Sequence, residues 1–443
     1  MTKAIYDKYV SDHATFEASP GVNGPAWLGK LRATGLAAFK QAGFPTATRG
    51  NEQWKYTNVS PIGRAEFDLP SALAVEAVSL AGVKAVSPWD DGWSRLVFVD
   101  GFYSAALSAA PTDDIAQITS LSEVLSVDEV HVEQHLGKYV SVDEDGFAAV
   151  NTAFASDGAF VRIPDDSETT APVHLVFVST GGPTATVSHP RVLVLVGRNS
   201  RLTLVESYVS LGDGPYFTNA VAEIVGAEGS EIEHYRYLAE SDAAFHIGTT
   251  SVALQRDASF LSTSLSKGAR IARNGLSVLL DGPGSSCVLK GLYATSGTQH
   301  IDNHIDVDHK TPHGSSDQLF KGILDGSSRA VFSGRVLVRR DAQKTYATQS
   351  DKNLLLSEGA RINTKPSLEI YADDVQCAHG ATAGAIADEA LFYMASRGLD
   401  EDTARRLLVA GFANEIIDGV RLAPLRLQMQ RQLSVETTRA SAG

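Results

Sequence analysis

Cys377 and His379 are the side chains whose types and spacing point most directly to chemistry. Both stand in the run Pro366–Thr382, and Cys377 is one of only two cysteines in the chain. Leu368, Ile370 and Ala372 alternate with Glu369 and Tyr371. After Asp373-Asp374, the residues Val375, Cys377 and His379 again fall two apart, the spacing that puts side chains on one face of a strand. A thiol and an imidazole so placed stand about 7 Å apart at their Cα atoms. They supply two soft donors, whereas a closed zinc or iron–sulphur site takes four. The segment therefore reads as half of a site.

Three other groupings compete for attention. In Gln299–His309 the residues His300, Asp302, His304, Asp306 and Asp308 share one strand face, while Ile301, Ile305 and Val307 share the other. Neighbours on one strand cannot all wrap one ion, so a solvated strand face is the expectation and a metal site the rival. Asp373-Asp374 invites comparison with the paired carboxylates of β-helix glycosidases. Adjacent strand residues point to opposite faces, however, and His379-Gly380 follows within the same segment, so a solvated turn leading into Val375 is expected instead. Cys287 is expected in a coil turn, as a small core or edge residue. The Gly-x4-Gly-Lys-Ser/Thr phosphate cradle is absent, as are Gly-x-Gly-x-x-Gly in a βαβ setting and Gly-x-Ser-x-Gly. Any use of ATP must come through a partner.

The elements that position these residues change character along the chain. Asn23-Gly24-Pro25 can start a helix that presents Leu28, Leu31, Leu36 and Phe39 on one side and stops at Gly43 and Pro45. Asn51–Thr57 forms an aromatic knot, and residues 96–107 read as paired strands turning at Asp100-Gly101. Residues 120–160 mix short helical pieces with loop. From about Pro172 the chain becomes β-rich and repetitive. Similar turns open similar strands at Gly197–Ser200, Gly226–Ser230, Gln255–Ser259 and Asp281–Ser285, about 30 residues apart, and the unit returns at Asp325–Ser328 and Ser357–Ala360. Recurrence of this kind indicates stacked β-coils, with a sandwich or jelly roll as the rival all-β arrangement. After Ala383 the pattern is helical: Gly398 ends one helix, Asp400 caps the next, Ala404, Leu407, Leu408, Gly411 and Phe412 outline its apolar face, and Leu422, Leu425, Met429 and Leu433 mark another. Three regions result: a mixed, partly helical 1–165, a β-helix core 166–382 and a helical 383–443.

Length and composition bound the function. With 443 residues, the chain can bury a large core without disulfides, and two cysteines fit a reducing compartment. The opening residues Met1–His13 have no apolar signal segment, and no later run approaches the roughly 18 apolar residues of a membrane span, so a cytoplasmic protein with no membrane partner is expected. A net charge of −14, from 38 basic and 52 acidic residues with no basic block, argues against nucleic acid as a partner.

Several longer strings carry a family resemblance. Gln318-Leu-Phe-Lys-Gly-Ile-Leu324, Ser328-Arg-Ala-Val-Phe332, Ala342-Gln-Lys-Thr345, Asn353-Leu-Leu-Leu-Ser357, the segment Ala372–Thr382, Leu391-Phe-Tyr393 and Ser396-Arg-Gly398 resemble the core of the SufB/SufD family, scaffold subunits of iron–sulphur cluster assembly. Trp54-Lys-Tyr-Thr57 and Val97-Phe-Val-Asp-Gly101 extend the likeness over most of the chain. Ala378-His379-Gly380 stands where SufB typically reads Glu-His-Glu. The strand of the SufB sulphur-accepting cysteine aligns with Val205–Tyr208, where this chain has tyrosine. Both features resemble the SufD branch.

The resemblance implies a mainly β protein with a right-handed parallel β-helix core, flanked by an N-terminal mixed helical and a C-terminal helical domain. It implies a noncatalytic scaffold that pairs with SufB through the β-helix and with the ATPase SufC through the C-terminal helices. His379, with Cys377 beside it, would face a transient iron–sulphur cluster shared with SufB. Reduced flavin is linked to the assembled complex, although the chain has no flavin motif, and a homodimer is an alternative state of the isolated chain. The competing functions are a protein-bridging β-helix that contributes no ligand and, further off, a carbohydrate-active β-helix enzyme.

Overall fold

The computed structural model describes residues 3–19, 22, 24–48, 50–109 and 115–440; Met1, Thr2 and Asn23, which figured in the readings above, lie outside them. From residue 158 onward the chain winds between two sheets. Each strand pairs in parallel with the strand one full coil later, which gives a parallel β-solenoid of about eight coils. One sheet runs through Arg201–Ser210, Glu231–Glu240, Ser259–Gly268, Ser286–Thr295, Ser315–Leu324, Tyr346–Leu355 and Gln376–Gly384. The other ends with His300–His309, Arg329–Val338 and Arg361–Ile370. Pairing without register slips stacks equivalent residues into columns. Leu202, Ile232, Phe260, Cys287, Ser316, Ala347 and Cys377 occupy one column, and Leu204, His234, Ser262, Leu289, Gln318, Gln349 and His379 the inward-facing column two residues on. Each coil buries its apolar face only against its neighbours, so the core is a continuous rod from Leu96 and Leu175 to Phe320 and Phe332.

The turn chemistry explains where the coils bend. Asn199, Gly229, Asp257 and Gly284 all have positive φ, each two residues before the one that opens the next strand. These are residue types that tolerate the left-handed region. The six recurrent turns do not form one series, however. Gly197–Ser200, Gly226–Ser230, Gln255–Ser259 and Asp281–Ser285 lie on one edge of the solenoid, whereas Asp325–Ser328 and Ser357–Ala360 lie on the opposite edge. On the first edge the series continues through turns that place His313 and Lys344 in the left-handed position, residue types that carry no turn signature.

The flanking regions cover the outer faces of the solenoid. The helix Ala26–Ala42 forms as its spacing implied, with Leu28 and Phe39 buried and Gly43 at φ 64 ending it. A preceding helix, Lys3–Glu17, was not legible, and its Tyr9 and Phe16 pack with Phe39, Phe44 and Phe147. Ser94–Val99 and Phe102–Tyr103 form the expected antiparallel pair, and Ser94–Val99 also joins the first sheet beside Val173–Ser179. Asp100 and Gly101 at the turn both have positive φ, as a two-residue hairpin of this twist requires.

At the other end, the helices Asp388–Ser396, Glu401–Ile417 and Ala423–Ala440 follow the last strand. Asp400 caps the middle one through Thr403 N at 2.9 Å. Leu425, Met429 and Leu433 are buried as anticipated. The face of the middle helix is rotated from expectation: Ala404, Val409, Ala413, Ile416 and Ile417 are buried, while Leu407 and Gly411 are exposed. Its packing surface is the outer face of the first sheet around Tyr235, Tyr237 and Leu292. Lys321 and Lys352, stacked in register, both reach Glu415, at 2.6 and 3.3 Å. No described helix is long and apolar enough to cross a membrane.

One end of the rod lies open. Arg361–Ile370 and Gln376–Gly384 form the last coil and contain no buried residue, whereas the coil before them is buried at alternate positions.

Candidate functional site

The last coil carries both residues singled out by spacing. Cys377 and His379 lie on the strand Gln376–Gly384, opposite Ala347 and Gln349 of the preceding coil. Ala347, Gln349, Asp351 and Asn353 are the buried, inward-facing members of that coil, so Cys377 and His379 point inward along the open end of the rod. The hydrophobic residues before the turn belong to a different strand, Arg361–Ile370, in the other sheet. Cys377 is half-buried beside Val336, Val338, Ala342, Ala347 and Leu368, and burial raises its thiol pKa, with the Ala347 backbone acting in the opposite direction. His379 is exposed. Among the described residues no cluster of three or more His, Cys, Asp or Glu side chains is arranged to hold a metal ion.

Behind them lies a buried polar layer that the sequence reading did not find. Asp351 is fully buried, and burial pushes its carboxyl up to about 6. It accepts from Asn353 Nδ2 at 2.7 Å and lies 3.2 Å from the Tyr293 hydroxyl, which is 2.5 Å from Asn353 Oδ1. The i, i+2, i+4 spacing of Gln349, Asp351 and Asn353 is the signal that could have revealed it, but polar alternation ordinarily marks the outside of a strand. Deeper in the rod, the imidazole of His246 sits 2.6 Å from Arg236 Nη2 and 2.9 Å from Glu240 Oε2. A guanidinium only donates, so Nε2 of His246 accepts and Nδ1 carries the proton toward Glu240. Tyr208 is buried and donates to Glu206 at 2.9 Å.

The other candidates resolve as structural groups. The face of His300–His309 is not solvated along its first half. Asp302 is 1 % exposed, pairs with Arg273 and accepts from Thr57 Oγ1 at 2.5 Å, while His300 Nε2 lies 3.0 Å from the same hydroxyl. The knot Asn51–Thr57 covers this face, with the Arg273 guanidinium 3.9 Å over the Trp54 ring. Burial holds His304 down to about 4 and lowers His300 as well. Arginine thus supplies the positive charge here; Asp306 and Asp308 pair in the same way with Arg335 and Arg339, each at 2.7 Å. Asp373 and Asp374 form the exposed turn expected of them, with Asp374 paired to Lys344. Cys287 lies within the strand Ser286–Thr295 rather than in a turn; it is a core residue, and burial pushes its thiol up to about 12. Native protein treated with a maleimide is therefore expected to label slowly at Cys377 alone and at Cys287 only after unfolding. Mass spectrometry of the labelled peptides checks this, and labelling of Cys287 at a comparable rate would show that the rod opens.

Comparison with known proteins places this arrangement in a group. Residues 177–412 match the family described as SUF system FeS cluster assembly, SufBD core domain, and residues 6–175 match the SufBD protein N-terminal region. An iron–sulphur cluster assembly SufBD family protein of Synechocystis is 35 % identical over 87 % of this chain and 86 % of its own length. The iron–sulphur cluster assembly protein SufD of Escherichia coli is 30 % identical over 89 % of each chain. The chloroplastic protein ABCI7 of Arabidopsis thaliana is 31 % identical over 84 % of this chain and 79 % of its own.

Proposed function

Because this chain is a SufD-like member of the SufBD family of iron–sulphur cluster assembly proteins, we propose that it acts as a noncatalytic scaffold whose open end is completed by SufB. In this reading His379, with Cys377 beside it, contributes donors to a nascent cluster that is cargo rather than a resident cofactor. The observation that carries the reading is an exposed imidazole and a half-buried thiol on one face of a last coil whose outer edge has no partner strand among the described residues. Two donors leave iron coordination unfinished, and the free edge of a terminal strand offers its backbone to a second chain. The docking of the ATPase SufC is assigned to the C-terminal helices, where Phe392, Tyr393 and Leu407 expose apolar area of the kind that marks protein contacts.

His379→Ala in the co-expressed complex is expected to abolish cluster formation while the subunits still co-purify, read as iron and acid-labile sulphide per complex. An unchanged yield would remove His379 from the site and favour the second reading, a β-helix that bridges proteins without ligating iron.

A further inference from the structure

We infer that Gln349 is a positioning residue for His379, accepting one ring N–H of the imidazole so that the other nitrogen faces out of the open end. The inference deepens the proposed role of His379 and rests on it. In the parallel register Gln349 lies directly opposite His379 and on the same inward face, which sets their Cα atoms about 4.8 Å apart. The amide of Gln349 is 3 % exposed and its orientation is fixed on one side only: Nε2 donates to Gln318 Oε1 at 3.0 Å. Its Oε1 is buried and has no hydrogen-bond partner. A buried acceptor left in that state is destabilising, so a donor reaching it from the final strand is favoured. Gly334 leaves room for the amide in this pose, because a Cβ there would lie 2.1 Å from Gln349 Nε2.

The chemistry supplies the donor. A histidine that ligates a metal ordinarily donates its second ring N–H to a carbonyl or carboxylate, which fixes its tautomer and ring plane. The free carbonyl of Gln349, directly opposite His379 in the strand register, is the acceptor the inference assigns to that N–H. An amide oxygen only accepts, so it selects the tautomer with the proton turned inward and the lone pair turned toward iron.

Three variants of the full-length chain, in the co-purified complex and titrated anaerobically with ferrous ion alone, test the inference. Gln349→Leu is expected to weaken ferrous binding about 10–100-fold. Gln349→Glu keeps an acceptor in place, and the unpartnered Nε2 of Gln318 can turn to meet it, so affinity should return to within a few fold of the parent. Ring ¹⁵N shifts of His379 in the metal-free chain should report a single tautomer in the parent and in Gln349→Glu, and a mixture in Gln349→Leu. Parent-like affinity and a parent-like tautomer in Gln349→Leu would overturn the inference, as would failure of Gln349→Glu to restore binding. His379→Ala separates the two levels: ferrous binding unchanged in that variant sinks the ligand role of His379, and the tautomer spectra then decide alone whether Gln349 orients the ring.

Discussion

Replacing Glu223 with alanine is expected to cost about 3–5 kcal/mol of stability. Arg191 and Glu223 pair at 2.6 Å with side chains 1 % and 0 % exposed. The carboxylate also accepts from the backbone N–H groups of Gly137 and Tyr139, at 2.8 and 2.9 Å. Arg191 in turn donates to Asn151 and Thr152 of the helix Gly146–Ala153. One carboxylate thus ties two coils of the solenoid to the N-terminal region. Its removal leaves a buried guanidinium without a counter-charge and two part-buried amides without an acceptor, and the loss of one partner from such a pair is far more costly than the pair is stabilising. The midpoint of urea unfolding measures the effect; a shift worth less than about 1 kcal/mol would show that the pair holds nothing together.

Asp351→Asn is expected to do the opposite and to do it only at neutral and alkaline pH. The folded-state carboxyl titrates at about 6, above its ordinary value of 3.8, because burial penalises the charge. The folded protein therefore binds the proton more tightly than the unfolded chain. The associated stability is fully present below the unfolded pKa and is lost as pH rises through about 6. Above that point the ionised group costs about 3 kcal/mol. The geometry agrees with the direction: the Tyr293 hydroxyl has one proton, its shorter contact is to Asn353 at 2.5 Å, and the contact to Asp351 at 3.2 Å is best satisfied when Asp351 itself carries a proton. The amide should raise the unfolding midpoint by several degrees at pH 8 and leave it nearly unchanged at pH 4. Equal midpoints for parent and variant at pH 8 would contradict the assignment.

These two groups also show what the amino-acid order made legible. The coil period, the parity of Cys377 and His379, the hairpin at Asp100-Gly101 and the cap at Asp400 follow from rules that act over a few residues, and the molecule obeys them. Glu223, Asp351 and Gln349 were invisible because a charged or amide side chain on a strand ordinarily faces water, and only the winding of the second sheet over the first turns these inward. The same long-range effect misled the reading of His300–His309, whose polar face is covered by residues some 245 positions away, as in the Thr57–Asp302 contact. Leu407 was assigned inward because helical periodicity gives an apolar stripe without saying how the neighbouring sheet divides it. The turns misread as one series differ only in which edge they occupy, a distinction that similar Gly-Ser chemistry cannot encode.

The strand Gln376–Gly384 also lacks the residue types by which soluble proteins discourage unwanted ladder growth. It has no lysine, no proline and no acidic residue, the features that commonly guard a bare β edge. A rod finished in this way is templated for one more rung, and on the proposed pairing with SufB, molecules made in excess of that partner are expected to recruit one another instead. Balanced synthesis of the two subunits would then be a matter of colloidal safety as much as of stoichiometry.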